Sequence, residues 1–373
     1  MKKNIIFLIA IFGFLSFTSC KKKSNPKLVS ITKLLPPVAG KIYHSAYPDF
    51  DDTEDKVSRD SILHFESLAG KQVAWVYFSN NWLPSQGGIH FPTNEVNIIY
   101  SLGRTPFIRL MPRSQFEEGT ADPIYTMDAF LNGDFDQDLR HWAQAAKATN
   151  IPLLAEFGTE MNGFWFPWNG TWNGAGQKTG YGDVNLYDGP EKFRDVYRKI
   201  INICREEGAN NITWFFHVNV DDDPVNNWNR MKNYYPGDDF IDWIGVSAYG
   251  SLGFSEPWRS LNRMLTDNWT EINSISTQGK PIALLEFGVY ESSNNNQKAQ
   301  WITDAFQSVL NGNIYSGKIK AISYWNESWE DNNDIIDLRI DSSPLANDAY
   351  KNGVNSPNFI THLNFETKYL KEE

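Results

Sequence analysis

Short apolar runs alternate along the chain with longer stretches whose apolar positions recur every three to four residues. Strand-like runs begin at Lys41, Gln72, Thr105, Ile151, Ile212, Ile241, Lys280 and Ile319. Several are apolar on both parities, as strands covered on both faces should be. Between them lie helical patterns such as Phe135 to Asn150, Pro190 to Gly208, Pro257 to Ser276 and Asn296 to Asn311, and Asn150 and Gly208 are reasonable helix stops. Eight strands alternating with helices, with no Gly-rich phosphate fingerprint after the first, predict a closed (β/α)8 TIM barrel, an α/β fold, rather than an open doubly wound sheet. No fixed-period repeat interrupts the pattern. The stretch from Gly163 to Gly189, rich in Gly, Asn and Trp, is too long for a simple connector and is a binding-loop candidate.

The N-terminus breaks the pattern. Lys2-Lys3, an apolar run from Ile5 to Leu15 and Phe17-Thr18-Ser19-Cys20 have the order of a secretory signal peptide, and the run is too short to span a bilayer. A Cys after small residues, followed by Lys21-Lys22-Lys23-Ser24-Asn25-Pro26, resembles a bacterial lipobox; a plain secreted protein is the alternative. The reading is therefore a signal peptide over 1–19, a lipidated Cys20 and linker over 20–39, and one catalytic domain over 40–373, held at the bacterial cell envelope by acyl chains. Cys204 is then the only other cysteine, so no intrachain disulfide framework exists. It falls on the apolar face of a helical pattern with Phe193, Val196, Tyr197 and Ile200, which makes it a small core residue.

Composition narrows the function. The 373 residues are 41% hydrophobic and 21% charged, with a mean hydropathy of -0.46, which excludes a disordered or polytopic membrane protein. The net charge is -11, and it argues against nucleic acid as a partner. The membrane is touched only through the lipid, and the expected form is a monomer. The 14 Trp, 16 Tyr and 24 Phe residues exceed what an ordinary core needs. Trp165, Phe166, Trp168 and Trp172 follow the fourth strand, Trp82 the second, and Trp325 and Trp329 the eighth. Rings at strand ends offer flat apolar faces to sugars. Trp75, Trp142, Trp214 and Trp243 fall inside strands or helices and belong to the core.

In a barrel, chemistry sits where strands end and βα loops begin. The fourth strand ends Ala155-Glu156-Phe157-Gly158-Thr159-Glu160-Met161-Asn162-Gly163, and the seventh ends Leu284-Leu285-Glu286-Phe287-Gly288. Paired carboxyls about 5 to 5.5 Å apart are what retaining glycoside hydrolysis requires. A single strand-end glutamate is more often solvated or ion-paired. The six histidines form no short-spaced group with Cys or carboxylates, so no zinc site is expected. Asp221-Asp222-Asp223 and the acidic stretch from Asp49 to Asp55 lack an EF-hand spacing and read as loops or caps. No metal or cofactor is called for.

Glu160-Met161-Asn162-Gly163-Phe164-Trp165-Phe166-Pro167-Trp168 resembles the acid/base segment of glycoside hydrolase family 26, whose usual pattern is His-Glu-Met-Asn-Gly followed by aromatics. Pro281 to Gly288 is similar to that family's nucleophile strand, and Ile42 to Asp49 to its first strand. The resemblance covers residues 40 to 330. It implies a retaining endo-acting β-glycanase, most often a β-1,4-mannanase, with mixed-linkage glucan or β-xylan as alternatives. A barrel that binds glycans without cleaving them is the further alternative.

Carried over residue by residue, the resemblance makes Glu160 the acid/base, Glu286 the nucleophile, Trp165 a wall beside the scissile bond, Tyr249 a donor to the nucleophile and Trp325 a sugar platform. Trp168 and Trp82 join these as substrate-binding candidates. So do His217, at the end of the fifth strand, and Arg109, within the third; core polar roles are equally open for those two. The chain departs from the family pattern at Thr159, where His is usual, at Glu156, where Arg is common, and at Ser247, where Asp is common, which bears on the sugar subsite. A straight strand would carry Glu160 about 13 Å beyond Glu156, so geometry alone favours Glu156 as the acid. The motif favours Glu160, reached by a turn starting at Gly158, and leaves Glu156 a structural role with Arg109 as partner.

Overall fold

The chain enters as β1 (Leu28–Leu34) and then lays down eight strands: β2 (Ile42–Tyr47), β3 (Trp75–Asn81), β4 (Thr105–Met111), β5 (Leu153–Phe157), β6 (Ile212–Asn219), β7 (Trp243–Tyr249), β8 (Ile282–Gly288) and β9 (Ile319–Trp325). All eight predicted runs form strands. They pair in parallel in sequence order, and β2 pairs with β9 from Tyr43↔Ala321 to Tyr47↔Trp325, closing the barrel. This is a computed structural model, and it describes residues 28–371 except 254–255, 293–294, 313, 316 and 332–333. The signal segment over 1–19 and the lipidation site at Cys20 lie outside the described residues. Among the described residues no helix is long and apolar enough to cross a membrane.

Helices α1 (Arg59–Ala69), α2 (Thr93–Ser101), α3 (Met127–Asn132), α4 (Asp136–Ala148), α5 (Asp188–Glu206), α6 (Leu261–Ser274), α7 (Asn295–Asn311) and α8 (Pro344–Val354) pack outside. Hydroxyl caps start four of them, with Ser58, Thr126, Ser260 and Ser343 each accepting from a backbone N–H in the first turn. Between β6 and β7 two short 3₁₀ turns replace a helix, Asn227–Asn229 and Met231–Tyr234. The apolar stripe of α5, with Phe193, Val196, Tyr197, Ile200 and Cys204, is buried. Burial also pushes the Cys204 thiol up to about 12, which keeps it inert.

Part of the predicted linker is ordered structure. β1 pairs antiparallel with β13 (Phe365–Lys371), and it is pinned to the base of the barrel where Leu34 N–H donates to Thr213 Oγ1 at 2.9 Å and Lys33 Nζ to Asp242 Oδ2 at 2.6 Å. The alternation is too short to stand out when its partner lies over 300 residues away. A hairpin of β10 (Ser328–Asp331) and β11 (Asp334–Asp337) rises beside the end of β9, and β12 (Phe359–Ile360) pairs with β2.

Candidate active site

Glu160 reaches the barrel mouth through a left-handed turn. β5 ends at Phe157, Gly158 has φ +60 and Glu160 has φ +50. A Cβ on Gly158 would stand 2.6 Å from the Phe193 ring, so both space and φ select glycine there. The Glu160 N–H donates to the His217 carbonyl at 3.0 Å, which folds the segment back over the barrel. A non-glycine residue at φ +50 is strained, and such strain clusters at functional sites.

Glu286 is aimed by an irregularity. β8 pairs with β7 at Ser247↔Glu286 after a register shift at Val246/Ser247, and with β9 across a second shift between Leu284 and Phe287. Bulges of this kind re-aim a side chain. Tyr249, at the end of β7, donates to Glu286 Oε2 at 2.8 Å, and Arg109 Nη2 lies 3.4 Å from Oε1.

Glu160, Glu286, Trp165, Tyr249, Arg109 and Trp325 line one cleft of about 980 Å³. The Trp165 indole N–H donates to Glu160 Oε2 at 2.9 Å. Burial first, and the Glu286 carboxylate second, push the Glu160 carboxyl up to about 7. One carboxyl held protonated near neutrality beside a second that faces a phenol and a guanidinium is an acid/nucleophile arrangement.

Glu156 is sealed beneath this pair. It accepts from the Tyr77 hydroxyl at 2.5 Å, and His217 Nδ1 lies 3.1 Å from the same oxygen. Arg109, its register partner on β4, comes to 3.7 Å. His217 is correspondingly not a cleft residue. It is buried, with Nδ1 2.8 Å from Thr159 Oγ1 and Nε2 2.7 Å from Ser247 Oγ. Burial, the largest single influence, lowers its pKa, but the carboxylates of Glu156, Glu286 and Glu160 together outweigh it and raise the pKa. Two of the three departures from the family pattern, Thr159 and Ser247, thus hold His217, and the third, Glu156, is its counter-ion.

Two predicted sugar-binding tryptophans belong to the core. Trp82 is fully buried, its ring 6.0 to 6.2 Å from those of Tyr125, Phe130 and Phe157 and its N–H on Asn80 Oδ1. Trp168 is stacked on Phe166 and donates to the Thr159 carbonyl at 2.7 Å, so it supports the turn carrying Glu160 from behind. The rest of the loop from Gly163 to Gly189 packs largely on α5 and the 3₁₀ turns, with Asn169 bonded to the Met161 carbonyl and to Asn229. Trp325 does reach the cleft, but Tyr47 stacks on it at 4.1 Å and the Arg109 guanidinium lies 4.9 Å from its ring centre, so only an edge is presented.

Sequence reading missed Tyr77, Glu54 and Glu327. Tyr77 sits in β3 between Glu156 and Glu286, 3.2 Å from the latter. Glu54, in the loop after β2, accepts from Arg109 Nη1 at 2.7 Å. Glu327, just past β9, accepts from the Trp325 N–H at 2.7 Å. The available signal was a polar residue inside an apolar strand for Tyr77; the two loop glutamates carried none.

Residues 124–335 match the glycosyl hydrolase family 26 profile. The chain is 28% identical over 301 residues to Endoglucanase H of Acetivibrio thermocellus, covering 80% of this chain and 29% of that protein. It is 25% identical over 256 residues to the β-1,3-xylanase TXYA of a Vibrio species, covering 62% and 51%. The chain thus spans less than a third of the first relative and about half of the second. In fold it is similar to the catalytic domain of a Bacillus sp. JAMB-750 endo-β-1,4-mannanase, with a TM-score of 0.61 at 17% identity over 86% of this chain and 87% of that one.

Proposed function

The chain belongs to glycosyl hydrolase family 26, and from that premise we propose that it is a retaining, endo-acting β-glycan hydrolase with Glu160 as acid/base and Glu286 as nucleophile. The observation that carries this reading is the pairing of a carboxyl raised to about 7 with a second carboxyl in one cleft, at the ends of β5 and β8. Glu286 attacks the anomeric carbon while Glu160 protonates the departing oxygen. The glycosyl-enzyme is then hydrolysed by a water that Glu160, now ionised, activates. Tyr249 and Arg109 hold the Glu286 carboxylate in place, and Trp165 holds Glu160.

β-1,4-Mannan is the substrate favoured by the resemblance of the Glu-Met-Asn-Gly segment. A β-glucan of mixed linkage is the second reading. The 28% identity with an endoglucanase favours it. A panel of glucomannan, galactomannan, mixed-linkage glucan and xylans, with reducing ends, product lengths and anomeric configuration read out, separates these readings. Retained configuration is expected, and an inverted product overturns the mechanism. Release of no reducing sugar from any of them would point to a glycan-binding barrel. The Glu286→Ala protein is expected to be nearly inactive, and Glu160→Ala active only on substrates with good leaving groups.

The N-terminal sequence supports attachment to the bacterial envelope through acylated Cys20. Cys20→Ala should move the protein from the membrane to the soluble fraction.

A further inference from the structure

Glu327 is a carboxyl that the proposed reaction does not use, yet it stands in the wall of the cleft, 6% exposed. Its position is fixed by two bonds. The Trp325 indole N–H donates to Oε2 at 2.7 Å, and the Glu327 carbonyl accepts from Leu338 N–H at 2.8 Å, tying it to the strand end and to the segment after β11. An ionised glutamate here would face hostile surroundings. Glu54 and Asp49 approach from the loop after β2, and the Tyr47 hydroxyl from β2 itself; against them Arg109, on β4, offers positive charge. That guanidinium is already 2.7 Å from Glu54 and 3.4 Å from Glu286.

We propose that Glu327 is a specificity-determining residue that stays a neutral acid, with Oε2 held by Trp325 and the acid O–H donated to a hydroxyl of the glycan lying along the Trp325 edge of the cleft. A neutral carboxylic acid is a donor and an acceptor at once, whereas a carboxylate only accepts. Burial, and then the Glu54 carboxylate, push Glu327 up to about 9, so the donor persists through the neutral range. Its complement is an uncharged sugar hydroxyl, and this end of the cleft accordingly selects neutral sugar units. The inference rests on the glycan-hydrolase reading.

The test is calorimetric titration of manno-, cello- and mixed-linkage hexasaccharides into a Glu160→Gln background, where binding is read without turnover and the Glu160 titration is absent. Adding Glu327→Ala should weaken binding about three- to tenfold, the worth of one neutral hydrogen bond. Adding Glu327→Gln, which keeps an acceptor for Trp325 and an N–H donor for the sugar, should restore most of that loss. Affinity with Glu327 intact should fall as pH rises through about 9, and with Gln it should not. Equal losses for Ala and Gln, no loss for either, a pH response unchanged by Gln, or no binding of any hexasaccharide each overturn the proposal. Hydrolysis by the unmodified enzyme is scored separately, so an inactive protein whose Glu160→Gln form still binds through Glu327 would refute the catalytic reading alone.

Discussion

The Tyr77 hydroxyl donates to Glu156 Oε1 at 2.5 Å. A phenol has one proton, so Glu286 Oε1, 3.2 Å away, and His217 Nδ1, 3.1 Å away, meet the oxygen of a group already committed to Glu156. Tyr77 therefore fixes the buried carboxylate under the cleft and spaces it from the proposed nucleophile. Tyr77→Phe leaves Glu156 short of a donor in a site without water access. A stability loss of about 1–3 kcal/mol is expected in denaturant melts, together with a fall in kcat of at least tenfold as Glu286 loses its neighbour. Unchanged kcat in a destabilised protein would confine Tyr77 to a structural part.

The raised pKa of Glu160 sets a pH dependence with a definite sign. Glycosylation needs Glu160 protonated, so kcat/KM on polysaccharide should fall as pH rises through about 7. The limb should vanish with aryl glycosides whose leaving groups need no protonation. Stability carries the same signature. A carboxyl moved from 4.5 unfolded to about 7 folded binds its proton more tightly in the native state, so its contribution is intact below 4.5 and lost as pH rises through about 7. Glu160→Gln should match the unmodified protein near pH 4 and exceed its stability at pH 8 by on the order of 3 kcal/mol. A Gln variant no more stable at pH 8 than at pH 4, relative to Glu, contradicts the assignment.

The barrel was legible because its strands are apolar on both parities and bounded by helix-period stretches, a local signal. The placement of Glu160 at the barrel mouth was legible through its motif and against straight-strand geometry, and the positive φ values at Gly158 and Glu160 are how the chain brings it there. Long-range relations were not legible. β1 and β13 depend on each other across the whole chain, and Glu327 matters only because the loop carrying Glu54 folds beside it. Trp82 shows the limit of reading a strand end. One residue past β3 a side chain points either to the mouth or outward to the helices, and sequence position does not decide between them.

Trp82 points outward, which separates two tryptophans that look alike in sequence. Trp82→Ala removes a fully buried ring packed on Tyr125, Phe130 and Phe157 and should cost about 3–5 kcal/mol. The KM of the surviving folded enzyme should be unchanged. Trp165→Ala touches the cleft and the Glu160 carboxyl, so it should lower kcat/KM with little effect on the melting temperature. A raised KM in the Trp82 variant at a temperature where it is fully folded would return that residue to the cleft.

Charge around the cleft predicts what it refuses. Eleven Asp and Glu residues line it against Arg109 and Arg259, and both arginines are engaged, Arg109 by Glu54 and Glu286, and Arg259 by Asp221. Among the described residues no lining cation is left to receive an anionic sugar, while a cleft of one sign focuses its field on whatever enters. A carboxymethylated form of the best neutral glycan should therefore be cut with a lower kcat/KM than its parent at low ionic strength. The repulsion is partly through solvent, so the deficit should shrink as salt rises from about 10 mM, where screening acts over roughly 30 Å, to about 150 mM, where it acts over roughly 8 Å. A deficit that ignores salt would be steric, arising from the added group's bulk, and equal rates on both glycans would show that the lining carboxylates do not act on the substrate at all.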